Sequence, residues 1–132
     1  MFKLVICGAL LAHGIGHILF LAPTLRLAAW ADQTGQSWLA EQLIGDGAAR
    51  LVGAAAWVIA MVLFVAAAFG AYVGTDWWQP AAAVGAVVSL VAIVAFWTGI
   101  YTASALFALA FDVIVLVVLV AARWQGFELA GN

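Results

Sequence analysis

Leu4-Val5-Ile6-Cys7-Gly8-Ala9-Leu10-Leu11-Ala12-His13-Gly14-Ile15-Gly16-His17-Ile18-Leu19-Phe20-Leu21-Ala22 is apolar throughout except for two histidines. A run of about 20 such residues matches the ~30 Å hydrocarbon core of a bilayer when wound as a helix. Four residues apart on that helix, His13 and His17 share one face. Ionisable side chains at membrane depth are rare, so the pair is the first candidate for function.

The rest of the chain has the same character. Of its 132 residues, 69% are hydrophobic and 8% charged, far from the quarter or so that a soluble surface carries. Apolar runs are expected to form spans at about 4–22, 51–70, 81–99 and 104–122, with no alternation of the kind a barrel strand shows. The fold class expected is all-α, an antiparallel four-helix transmembrane bundle in a single domain. A net charge of −2 and the lack of a basic tract argue against nucleic acid as a partner. The single cysteine, Cys7, rules out an intrachain disulfide framework and reads as a small buried apolar residue. Met1-Phe2-Lys3 and Ala29-Trp30-Ala31 imitate the two ends of a signal peptide. The run between them is long and interrupted by histidines, so it is expected to remain as a helix. Cys7 has no leader-like segment before it, which argues against lipidation.

In the first span, Gly8, Ala12 and Gly16 form a stripe beside Ala9, His13 and His17 that would let another backbone approach closely. Packing accounts for the small residues, and leaves the histidines unexplained. Pro23 is expected to end the helix. The polar segment 24–50 follows, with a turn at Asp32 to Gly35. Ser37 is expected to cap a short helix Trp38 to Ile44, and Gly45-Asp46-Gly47 to terminate it. Trp38, Leu39 and Leu43 suit a short amphipathic segment lying at the interface as a lid.

Arg50 opens the second span, placed to snorkel or to pair with Asp46. The second span reads as scaffold. Trp77 and Trp78 read as an aromatic belt pair before the third span, and Phe96 and Trp97 as the belt at its far end. In the third span Ala81, Gly85 and Ser89 repeat the small-residue spacing, with Ser89 bonding back to its own helix. Thr98, Tyr101 and Thr102 make a polar turn into the fourth span, where Ser104, Ala108 and Asp112 form one stripe. Arg123 and Trp124 close that span, and Phe127 to Asn132 form a short tail. Val113, Val117 and Val120 face lipid or a partner.

With alternating spans, the end of the first and the start of the fourth lie on one side. His13 and Asp112 then fall at matching depths, about 12 to 14 Å in. Three chemistries compete for a His13, His17, Asp112 cluster approached past Arg50, Tyr101, Thr102, Ser104 and Trp38. An i, i+4 histidine pair with Asp112 suits a transition metal. One histidine suits a tetrapyrrole, with Gly14 and Gly16 making room. A histidine and an aspartate at one depth suit a proton relay or a pocket for a small polar head group. Gly14 stands where HExxH needs its glutamate, so zinc-protease hydrolysis is disfavoured.

The runs Leu11-Ala12-His13-Gly14-Ile15-Gly16-His17, Ser37-Trp38-Leu39, Trp77-Trp78, Phe96-Trp97 and Phe111-Asp112-Val113 resemble small four-span bacterial membrane proteins. In size and layout the chain also looks like DoxX-like proteins, a family linked in part to membrane thiol or quinone oxidation. The resemblance implies a bacterial cytoplasmic membrane location and carries over no catalytic residue.

Two functions are expected from these features. One is a non-catalytic accessory or self-associating subunit of a membrane assembly, a homo-oligomer or part of a larger complex in the lipid bilayer. The other is a cofactor-binding, redox-associated protein that uses His13, His17 and Asp112. A small-molecule or proton pathway is a weaker third. Balanced positive charges, Lys3 and Arg123 against Arg26 and Arg50, favour cytoplasmic termini only through short-range placement.

Overall fold

A computed structural model of the chain describes residues 1–30 and 32–124, and side chains as far as Ala121. Ala31 of the signal-like motif, the boundary side chains Arg123 and Trp124, and the tail lie outside what is described. The described residues form helices joined by turns and loops: α1 (Phe2–Gly16), α2 (Ile18–Thr24), α3 (Ala40–Ile44), α4 (Asp46–Val73), α5 (Trp78–Ala95) and α6 (Thr102–Trp124). Four stretches, Phe2–Thr24, Asp46–Val73, Trp78–Ala95 and Thr102–Ala121, are long and apolar enough to cross a membrane. The chain is an integral membrane protein with a helical bundle.

The first span is not one regular helix. His17 sits between α1 and α2 with φ −62° and ψ −17°, and its amide bonds Gly14 O at 3.2 Å, one residue short of the α-helical partner. The helix tightens there because Gly14 and Gly16 offer little resistance. Pro23 lies inside α2 and does not end it. Having no N–H, Pro23 cannot continue the ladder, and the helix stops one residue later, with Arg26 at φ 59°.

The turn between α3 and α4 is shorter than the glycines suggest. Gly45 alone, at φ 83°, breaks the chain, and Asp46 and Gly47 belong to the first turn of α4. Asp46 suits the positive end of the helix dipole there. The short helix starts at Ala40, not Trp38, and the Ser37 hydroxyl accepts the Ala40 N–H at 2.9 Å as expected of a cap.

Neighbouring helices are α1 with α4, α4 with α5, and α5 with α6, whereas α1 and α6 are not packed as neighbours. Contacts fix how the helices lie. A Cβ on Gly53, near the start of α4, would collide with the Phe96 ring just after α5. One on Gly70, near the end of α4, would lie 2.9 Å from Trp78 Cβ at the start of α5. Lys3 at the start of α1 sits over the Tyr72 ring at the end of α4.

Two apolar clusters result. One joins Leu10, Phe64, Ala67, Trp78, Ala82 and Leu119; the other joins Phe20, Trp57, Ile93, Phe96, Ala105 and Ala108. Trp78 and Phe96 are therefore core residues and not members of an interfacial belt; the glycines facing them are what admit large rings. Cys7 is half-buried against the first cluster.

In every span except α4 a polar residue falls between the two clusters: His13 and His17, Ser89, and Asp112. At the same level α4 offers Ala60, which is fully enclosed. The polar donor nearest that level on α4 is Trp57, whose Nε1 donates to Thr24 Oγ1 at 3.1 Å, and that hydroxyl donates to Phe20 O at 2.7 Å. Thr24→Val keeps the shape and strands a buried indole N–H. It should lower stability by about 1–2 kcal/mol, read as a fall in the thermal midpoint followed by circular dichroism in detergent.

Candidate functional site

His17 is 1% exposed and both of its ring nitrogens are used. Nδ1 faces the His13 carbonyl at 3.0 Å, and a carbonyl only accepts, so the hydrogen is on Nδ1. In the neutral ring Nε2 is then an acceptor, and it takes the Ser89 hydroxyl proton at 2.9 Å. The tightened turn makes this geometry, because the His17 amide bonds Gly14 O and the His13 carbonyl is taken by the ring. Ser89 thus reaches across to α1 and does not bond back to its own helix, since a buried imidazole nitrogen without a partner costs more than a serine left free.

His13 makes the second bridge. Its Nε2 lies 2.8 Å from Asp112 Oδ1, the side chains being 6% and 0% exposed. The Phe111 ring stacks on the imidazole at 4.1 Å and 19°, and Phe64 meets it edge-on at 4.6 Å. Asp112 Oδ2 is sealed without a partner among the described residues. A net charge enclosed there is far costlier than a neutral pair. Imidazolium with carboxylate is neutral, and so is imidazole with carboxylic acid. With the hydrogen of the Nε2–Oδ1 contact on either atom, the ring keeps a hydrogen on Nδ1, which then acts as a donor; the other neutral pair, with the acid hydrogen on Oδ2, would strand that hydrogen because Oδ2 has no partner. His13 Nδ1 bonds nothing among the described residues, yet it is not one of the sealed unpartnered atoms.

It opens on a cleft of about 570 Å³ between the first span and α6. Ala9, Ala12 and Gly16 form one wall, Ala103, Ser104 and Ala108 the other, with His13, His17 and Phe111 at the floor. The small-residue stripe thus does something other than expected. A Cβ on Gly8 or Gly16 would meet nothing within 4 Å, so these residues leave space; Gly14, on the opposite face, is where α4 comes close. Beyond Phe111 the seam continues as a purely apolar chamber of about 230 Å³ bordered by Phe2, Ile6, Trp78, Val115 and Leu119.

The structure therefore brings His13, His17 and Asp112 together, but not as three donors aimed at one point. No group of three or more potential metal ligands is found among the described residues. The physical reason is that His17 spends both nitrogens on Ser89 and the His13 carbonyl, and the pair meets ring edge to ring face, centroids 4.8 Å apart. For a tetrapyrrole, Gly16 does border open space, whereas Gly14 is covered by Phe64 and Met61.

Of the expected approach residues only Ser104 lines the cleft. Tyr101 is exposed outside it, and Thr102 begins α6. Trp38 Nε1 donates to Val94 O at 2.6 Å and Ser37 Oγ to Ala95 O at 2.6 Å, so both cap the last carbonyls of α5. The loop is held there by Gly35 N–H to Gly99 O at 2.8 Å.

Arg50 is the knot of this end. Its Nε donates to Asp46 Oδ1 at 2.9 Å, and its remaining nitrogens to the carbonyls of Pro23, Thr24 and Thr34. Arg26 adds a second hand on Asp46 at 2.7 Å. Arg50→Met keeps the stem and removes every donor. It should cost about 1–3 kcal/mol and hasten proteolysis within residues 25–45, while leaving binding in the cleft intact.

The Ser89 and His17 contact has the spacing of a nucleophile and its base. Ser89 is fully enclosed and does not line the cleft, so the hydroxyl has no route to a substrate. Ser89 and Phe111 were missed as site residues. Small-residue spacing disguised the first and the apolar run disguised the second, and only the depth of Asp112 pointed to either. No family model, curated protein or solved structure matches the chain.

Proposed function

We propose that this protein is a non-catalytic binding module of the membrane, which takes an uncharged, lipid-dissolved molecule sideways into the cleft between α1 and α6. The reading rests on one observation: the cleft between the first span and α6 ends on His13, whose Nδ1 has no partner among the described residues and is not sealed. The ligand presents an oxygen to that donor. It carries no charge because the cleft is lined by no Lys, Arg, Asp or Glu, and the Arg50 guanidinium is committed elsewhere.

In this reading the four spans run antiparallel across a bacterial cytoplasmic membrane. The pairing of Gly53 with Phe96 and of Gly70 with Trp78 supports the antiparallel order. α3 and its flanks lie at the interface, supported by the exposure of Trp38, Leu39, Leu43 and Ile44.

The test is mass spectrometry of lipid-soluble material co-purifying with the chain in mild detergent. His13→Phe should reduce recovery about tenfold, the equivalent of one hydrogen bond. An unchanged recovery would overturn the reading.

A second reading, self-association, is favoured by the exposed face of Val113, Val117 and Val120 on α6. It predicts a dimer in detergent that Val117→Trp disrupts and His13→Phe does not. A coloured or metal-rich preparation would instead favour the cofactor reading, with the single nitrogen of His13 as the ligand.

A further inference from the structure

The cleft and the apolar chamber beyond it lie on the same seam, share Ala9 and Phe111, and differ in character. The cleft holds His13, His17 and Ser104 near the loop end. The chamber holds nothing that can hydrogen-bond apart from backbone and the Trp78 indole. The partition between them is a single ring, Phe111, held by its stack on His13. From His13 to Phe2 the seam follows α1 for about 16 Å. That is about half of the ~30 Å hydrocarbon thickness, a length that one acyl chain can fill.

We infer that the seam binds one single-chain lipid lengthwise, with its uncharged oxygen-bearing head between Ser104 and His13 and its tail passing Phe111 into the chamber bordered by Ile6 and Leu119. This rests on the binding reading above and adds the class and orientation of the ligand. A two-chain lipid does not fit, because the chamber is less than half the volume of the cleft and is bordered by packed core residues, Leu10 and Leu119. The head needs an acceptor for His13 Nδ1–H, and an ester carbonyl supplies one. The remaining oxygens of the head point up the cleft towards Ser104, which lies about 12 Å along α6 from the level of His13. Phe111 must swing off His13 to admit the tail, and Ala9, small and shared by both compartments, gives it room.

The experiment uses the whole chain in nanodiscs with two monoacylglycerol probes, monopalmitoyl and mono-octanoyl, each carrying a photoreactive diazirine at the tail tip. The palmitoyl probe should label the first two turns of α1 and the stretch Ile114 to Leu119 of α6. The octanoyl probe should label near Phe111. Ile6→Trp, at a position that borders the chamber and not the cleft, should abolish the deep labelling and spare the octanoyl labelling. Palmitic acid and lysophosphatidylglycerol, with charged heads, should compete poorly, and monopalmitoylglycerol without the diazirine should compete fully.

Deep labelling that persists in Ile6→Trp, or palmitoyl labelling scattered over the outer faces of α4 and α5, would overturn the lengthwise arrangement. Octanoyl labelling confined to the cleft would in that case leave the binding reading standing. Loss of both labels from the unaltered chain would remove both.

Discussion

His13→Leu should be less stable than the double variant His13→Leu, Asp112→Leu, although the double variant carries one more change. Removing the imidazole leaves Asp112, already fully enclosed and with Oδ2 unpartnered, with no hydrogen bond for Oδ1 either. An aspartate in that position costs about 2.5–3.5 kcal/mol on insertion scales. Replacing it by leucine removes the penalty, and the pair of leucines restores apolar packing against Phe64 and Phe111. The direct coupling between the two side chains is smaller, about 0.6 kcal/mol on average and up to about 1.7 for hydrogen bonds within membranes. The asymmetry between single and double variants is therefore the sharper readout. Reversible unfolding of the parent, His13→Leu, Asp112→Leu and the double variant in mixed micelles measures it, and a double variant no better than His13→Leu would refute the neutral buried pair. Asp112→Asn keeps a partner for Nε2 and should stay within about 1 kcal/mol of the parent.

Gly14→Leu should be far more damaging than changes at the other glycines of the first span. A Cβ at Gly14 would sit 3.0 Å from Phe64 Cβ and 3.2 Å from Met61 O, so the obstacle is a neighbouring backbone and the root of a side chain, neither of which can swing aside. α1 must move off α4, and Phe64 carries contacts to both imidazoles. Overpacking of this kind costs about 1–3 kcal/mol and here also separates His17 from Ser89. The opposite result is expected at Gly16 and Gly8, where added side chains meet nothing within 4 Å. Gly16→Ala should leave stability within about 0.5 kcal/mol and narrow the cleft. Thermal midpoints of Gly8→Ala, Gly14→Leu and Gly16→Ala under one set of conditions test the contrast. Equal losses at all three would mean that the stripe packs against a helix after all.

The class of the fold was readable from composition and run length, because hydrocarbon admits few ways of satisfying a backbone. That His13 and Asp112 lie at one level was readable by counting along α1 and α6 from a shared side; that they meet was not. What sequence did not reveal is which way neighbouring helices turn. Ser89 was assigned to its own helix because an isolated serine in a membrane helix bonds backward by default. Only the rotation of α5 toward His17 shows otherwise. Gly8, Gly14 and Gly16 are chemically identical in the sequence, and only the position of α4 separates the one that admits a neighbour from the two that border open space. Trp78 follows the same rule. An indole near a span end suits an interface, yet Gly70 makes room for this one in the core.

The bridges that tie α1 into the bundle join residues far apart in the chain, 72 positions for His17 with Ser89 and 99 for His13 with Asp112. A ribosome delivers the two histidines first and their partners last. Through most of synthesis the leading segment waits in the bilayer with both imidazoles bare, held only by whatever the translocation machinery or a stray water provides. The arrival of the final segment is what retires that debt, so a chain stalled before Asp112 should be cleared by membrane proteases faster than one stalled just after it.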